Sequence, residues 1–387
     1  MMISILPAIH EAMRERLPAM VDDLRTLVEQ ESPTDDKGLV DRAQTLLAER
    51  LAQAGASVER LPQEQTGDHL RAVWAGTGQR QPVLLLGHID TVWPAGELAR
   101  RPVRIEDGYL YGPGAFDMKA GLVIAVHAME VLREFDLPLA RDVVLLVNSD
   151  EERGSASSRG MIESQARQSS YVLVMEPALG PGMLTVGRKG VGRFRVQVQG
   201  RAAHAGREPE KGVSAIAELA QHILYLQSLN DLEKGVTVTV GVVQGGIRPN
   251  VVPAEAVAEV DLRVPTRSEE ERLVPLLRGL SPYHPQASVV VEGAVTRPAW
   301  EADPTCLALF HRARVVGEHL DMHLERGSSG GGSDGNFTAA LGIPTLDGLG
   351  PEGAGAHALD ERVALDSLPL RAALLAGLLL DLSLNGH

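Results

Sequence analysis

Three stretches of near-continuous apolar residues stand out along the chain: "PVLLLGHID", "DVVLLVNSDEE" and "YVLVMEPA". Unbroken rather than alternating apolarity predicts strands covered on both faces, as in a parallel or mixed sheet flanked by helices. Amphipathic periodicity predicts helices over residues 8–30, 38–54 and 119–135, the last lying between the first two strands. From about Gly187 the texture changes. "FRVQVQG" and "AVAEVDLRV" alternate strictly, while "GVTVTVGVV" and "SVVVEG" are short and β-branched, as expected for strands with one dry and one wet face. With helices expected in "GVSAIAELAQHILYLQSL" and "SEEERLVPLLRGL", the order is strand–helix–strand–strand–helix–strand, a ferredoxin-like α+β sandwich. The α/β texture returns after Pro298. The reading is therefore one α/β domain with a mixed sheet, residues 1–186 and 299–387, interrupted by an α+β domain over 187–298.

Each of the three apolar runs ends in an acid or a histidine. In open α/β sheets ligands gather at the carboxyl ends of strands, which makes the polar ends candidates for chemistry. They supply His88, Asp90, Asp150, Glu151, Glu152 and Glu176; Asp117 and His357 join them from Gly-rich loops. Several carboxylates buried together without cations would each cost several kcal/mol through lost hydration and repulsion. A mixed imidazole and carboxylate set suits Zn²⁺, and two histidines with several acids suit two ions sharing a carboxylate.

Charge and composition narrow the classes further. The chain of 387 residues carries 37 basic and 51 acidic residues, a formal charge of −14, which argues against nucleic acid or an anionic membrane as partner. The N-terminus lacks the order of a secretory signal. The late run "RAALLAGLLLDLSL" is read as a packed C-terminal helix, too short and too interrupted by Asp381 to span a bilayer. The single cysteine, Cys306, excludes an intrachain disulfide and fits a reducing cytoplasm, so a cytoplasmic location is expected.

The segments "GHIDTV", "YGPGAFDMKAG", "NSDEERGS", "MEPA", "GRAAHAG", "NVVPAEAVAEVDLRV", "GGGSDG" and "AHALDE", in this order, resemble the zinc-dependent aminoacylase/carboxypeptidase family, closest to its glutamate carboxypeptidase branch. The resemblance covers nearly the whole chain. It implies a di-zinc exopeptidase domain with an inserted lid and dimerisation domain. His88 would hold one zinc and His357 the other, Asp117 would bridge them across a cis Asp117–Met118 peptide, and Glu152 and Glu176 would complete one set each. Mn²⁺ or Co²⁺ would fit the same donors. Asp90 would orient the His88 imidazole, and Glu151 would act as general base. In the inserted domain His204 would steady the oxyanion, entering the site of a homodimeric partner, and Asn250, Arg263, Arg297 and Gly332 would contact substrate. A guanidinium suits bidentate recognition of a carboxylate. The implied reaction is hydrolysis of the amide before a C-terminal, Glu-like residue of a small peptide or N-acyl amino acid. The alternative is an N-acyl amino acid deacylase of the desuccinylase or deacetylase type.

Overall fold

The computed structural model describes residues 2–78 and 80–385, with two compact units. The larger comprises Met1–Gly187, Ala302–Ser329 and Ser333–His387; the smaller comprises Arg188–Glu301 and Gly330–Gly332.

The larger unit is built on a six-stranded mixed sheet in the order Ser57–Leu61, His69–Trp74, Arg141–Asn148, Arg80–His88, Tyr171–Val174, Thr345–Leu346. The last four run parallel; the first two are antiparallel additions at one edge. The three apolar runs are thus the central parallel strands. Their continuity has a direct cause. Leu85, Leu145 and Leu173 face one apolar core, whereas Leu84, Leu86, Val144, Leu146, Val172 and Val174 face another, so neither face can be polar. The helix Ala120–Glu134 connects the His88 strand to Arg141–Asn148, and Arg159–Arg167 connects that strand to Tyr171–Val174.

Two helical expectations need correction. The segment expected as one helix over 8–30 is two, Met2–Glu15 and Leu17–Glu29, with Pro18 in the first turn of the second, where a missing N–H costs nothing. The C-terminal helix is longer than expected. Ser367–Asn385 holds an 18-residue window long and apolar enough to cross a membrane, but 89% of that window is buried inside the protein. It packs on the helices Met2–Glu15, Ala120–Glu134 and Pro304–Glu318, so its apolarity serves a core.

A second, small antiparallel sheet orders Gly353–Ala354, Arg362–Ala364, Tyr109–Tyr111 and Arg104–Glu106. It brings two loops side by side: the turn after Ala354, which carries His357, and the loop after Tyr111, which carries Asp117.

The smaller unit is a four-stranded antiparallel sheet, ordered Thr237–Gly245, Glu255–Val264, Gly190–Gln199, Ser288–Arg297. Helices Ala215–Ser228 and Arg267–Arg278 cover it. Phe194, Val196, Val198, Ala256, Ala258, Val260 and Leu262 form its core at every second position, the period that the alternating sequence requires. Ser214 and Thr266 cap the two helices through their side-chain oxygens.

Candidate metal centre

His88 is the last residue of its strand and is buried, with its backbone between two parallel neighbours. Its Nε2 lies 3.2 Å from Asp117 Oδ1 and 3.6 Å from Glu176 Oε1. On the other side, His357 Nε2 lies 3.2 Å from Asp117 Oδ2 and 3.2 Å from Glu152 Oε2. Asp117 therefore offers one oxygen to each imidazole, and each Nε2 has one further carboxylate beside it. The Asp117–Met118 peptide is cis.

The donor set fits two divalent cations. Ligands about 2.0–2.1 Å from a tetrahedral ion stand about 3.3 Å from each other, close to the separations found here. Among the described residues, Glu152 Oε1 is buried without a hydrogen-bond partner, a carboxylate oxygen with nothing to satisfy it. One potential ligand atom each from His88, Glu151 and Glu176, and likewise from His88, Asp117 and Glu152, falls within 4.8 Å of the others. The electrostatics agree. Burial works against a charged His88, but Asp117, Asp90 and Glu176 outweigh it and raise its pKa well above the ordinary value. Asp117 and Glu152 push His357 up to about 10. Burial would raise Asp117, yet hydrogen bonds from His357 and His88 hold its carboxyl below the usual range. The cluster draws positive charge to itself from whatever source is present.

The sequence pattern of peptidase family M20/M25/M40 matches residues 84–381. The chain belongs to this family. It is 31% identical over 382 residues to carboxypeptidase G2 of Pseudomonas sp. (strain RS-16), covering 96% of this chain and 91% of that protein. It is 29% identical to succinyl-diaminopimelate desuccinylase of Stenotrophomonas maltophilia (strain R551-3), covering 91% and 96% respectively. Its fold is similar to that of the Bacillus subtilis YXEP protein, a dinuclear metal-binding peptidase of the M20 family, with TM-score 0.70 and 18% identity over 96% of this chain and 99% of that one. As an M20 member the chain is a hydrolase acting on amide bonds, from a family of dinuclear metal-binding peptidases.

Around the M20 cluster, Asp90 is fully buried, and the geometry refines its expected role. The tighter partner of His88 Nδ1 is the Asp90 backbone carbonyl at 3.0 Å; the carboxylate stands at 3.4 Å. That carboxylate also accepts the Thr34 hydroxyl at 2.8 Å and the backbone N–H groups of Glu151 and Glu152 at 3.3 Å each. One acid thus fixes the imidazole and the turn bearing the two glutamates. Asp150, one of the strand-end acids, turns its carboxylate to the segment beyond that turn, accepting from Ser157 and Ser158. Glu361 went unassigned, although it ends the motif "AHALDE". Its carboxylate accepts the backbone N–H groups of Gly114, Phe116 and Asp117 and the Trp93 indole. The only sequence signal was an acid four residues past His357. His127 and His222 are core histidines paired with Asp23 and Glu218.

Within the smaller unit, His204 is exposed and its Nδ1 accepts the backbone N–H groups of Gly206 and Arg207, both at 3.1 Å. In the neutral ring this places the proton on Nε2, so the free end is a donor. Asn250 is its neighbour, with its carbonyl accepting Ala205 N–H at 3.0 Å. Arg263 makes a fork–fork pair with Asp261 at 2.7 and 3.1 Å, which commits part of the guanidinium expected to meet substrate. Arg297 is buried, and a Cβ at Gly332 would come within 2.6 Å of its Cδ. Gly332, expected to contact substrate, therefore makes room for Arg297.

Proposed function

We propose that the chain is a two-metal carboxypeptidase or amidohydrolase that cleaves the amide before a C-terminal, Glu-like residue of small peptides or N-acyl amino acids. The single observation that carries the reading is Asp117, which presents one carboxylate oxygen to His88 and the other to His357. His88, Asp117 and Glu176 would hold one ion, and His357, Asp117 and Glu152 the other, with Zn²⁺ the best match to the donors. Bound ions supply Lewis-acid polarisation of the amide carbonyl and acidify the attacking water.

The chain supplies the rest. Glu151 takes the water proton on its carboxylate and delivers it to the departing nitrogen. Asp90 keeps His88 aimed and the Glu151–Glu152 turn in register. His204, with Nε2–H outward, donates to the oxyanion that develops on the carbonyl oxygen, from one subunit of a twofold dimer to the other's site. Arg297 and Arg263, with Asn250, read the substrate carboxylate, and Gly332 makes room for Arg297. Similarity to both carboxypeptidase G2 and a desuccinylase supports the reaction type while leaving two side-chain preferences to separate.

A hydrolysis panel on metal-loaded enzyme does so. N-acyl-Glu, -Asp, -Ala and -Leu are compared with an N-succinyl diamino acid, and kcat/KM is expected to be highest for N-acyl-Glu. Selective turnover of the succinyl substrate would assign the deacylase reading, and turnover of none would reject both.

A further inference from the structure

Glu361 is 1% exposed, and both its carboxylate oxygens are committed. Oε1 accepts the N–H groups of Phe116 at 3.0 Å and Asp117 at 3.1 Å; Oε2 accepts Gly114 N–H and the Trp93 indole, both at 2.9 Å. Four donors converging on one carboxylate make a charge-assisted set, stronger than the same bonds to a neutral acceptor. A glutamine could not reproduce it, because its NH₂ would confront two of the four N–H groups.

The same residue closes the turn that carries His357. Glu361 N–H donates to Ala358 O at 3.2 Å, Ala358 N–H donates to Gly355 O at 2.8 Å, and Gly112 N–H reaches Glu361 O at 3.4 Å. Arg101 reinforces the arrangement. Its guanidinium stacks 3.9 Å over Trp93, and Nη1 donates to Leu359 O at 3.0 Å. The Asp117 loop and Trp93 are thus fastened to the Glu361 side chain, and the His357 turn to its backbone.

The two imidazoles are not equally supported. His88 sits on a central strand and is held by the Asp90 carbonyl, independently of Glu361. His357 is half-exposed on a turn, at φ +60°, and that turn is framed by Glu361.

We infer that Glu361 is a positioning residue that registers the bridging Asp117 against His357 and so sets the affinity of the ion on the His357 side. This rests on the two-metal reading above.

The test is stepwise Co²⁺ binding to full-length, metal-stripped protein, followed by calorimetry and by the visible absorption of bound cobalt. Wild type is expected to take two ions. In Glu361→Gln one ion keeps its wild-type affinity and the other weakens by about 10–100-fold, the usual cost of losing an outer hydrogen-bonding partner. Trp93→Phe keeps a ring beneath Arg101 and removes one donor, so it should weaken the same step by a smaller factor. Circular dichroism checks that each variant is folded. If Glu361→Gln does not fold, Trp93→Phe decides. Folded variants that bind both ions as wild type does, or that weaken both equally, would overturn the inference. Fewer than two ions on wild type would instead refute the two-metal reading itself.

Discussion

Stripping the metals should reverse how the protein responds to pH. His357 carries a pKa pushed up to about 10 because Asp117 and Glu152 both hydrogen-bond its ring. A histidine raised in the folded state contributes stability that is fully present below its unfolded value, about 6.5, and is lost as pH climbs through the folded one. The full linkage from about 6.5 to about 10 would be about 5 kcal/mol. His357 is 52% exposed, however, and solvent screening reduces the usable part to about 1–2 kcal/mol. Chelated protein should therefore lose about 1–2 kcal/mol between pH 6.5 and 10 from this group. Metal binding has the opposite sign, since an ion must displace the imidazole proton and affinity then rises with pH. His88, also raised, adds a second displaced proton. Calorimetric titration at pH 7.5 in buffers of different ionisation enthalpy should count about two protons released for two ions. Release of none would refute the protonated cluster, as would stability of chelated protein that rises over the same pH range.

The other predictions concern catalysis. Glu151→Ala should keep both ions while lowering kcat by about 10²–10⁴-fold; metal analysis showing a lost ion would mean that Glu151 and Glu152 have exchanged roles. Arg297→Ala should lose about 2–5 kcal/mol of transition-state binding, and amidation of the substrate carboxylate should then lower kcat/KM far less than in wild type; equal penalties would remove Arg297 from recognition. Inactive His204→Ala mixed with inactive Glu151→Ala should regain activity once subunits exchange, because a hybrid dimer holds one site with both groups. Hybrids shown to form and remain inactive would sink action in trans.

What is legible in a sequence depends on where each interaction lies. The central strands were legible because burial on both faces leaves an uninterrupted apolar run, and the acids at their ends were legible because such runs seldom end so. The break at Pro18 was missed because apolar periodicity continues across it while the backbone does not. Glu361 escaped because its partners are backbone N–H groups, which have no letter in a sequence. The fork between Arg263 and Asp261 was hidden differently: residues two apart on a strand share a face, and the alternation that identified the strand gave no weight to a polar pair on it. For Asp90 the sequence points to the carboxylate as the imidazole's partner, whereas its backbone carbonyl is the nearer one.

The two halves of the cluster differ in how the fold holds them, and packing explains why. Glu176 follows the strand Tyr171–Val174, and its backbone is enclosed from two sides. A Cβ at Gly121, on the helix after the Asp117 loop, would lie 2.0 Å from Met175 O, and one at Gly350 would lie 2.4 Å from Met175 O and 2.7 Å from Glu176 O. Gly350 N–H donates to Glu176 O at 2.8 Å, so the close approach is also a bonded one. Close-packed backbone of this kind cannot yield by rotating a side chain, and interiors transmit such constraint. His88 and Glu176 therefore occupy positions set by the sheet itself. Glu152 and His357 occupy short turns: the Asp90 carboxylate accepts the Glu152 N–H, and the His357 turn closes through backbone bonds to Ala358 O and Gly355 O beside Glu361, whose carboxylate holds the Asp117 loop. A hydrogen-bonded turn opens more readily than a sheet interior. The His357 half of the cluster thus rests on hydrogen-bonded turns, and the His88 half on the close-packed sheet.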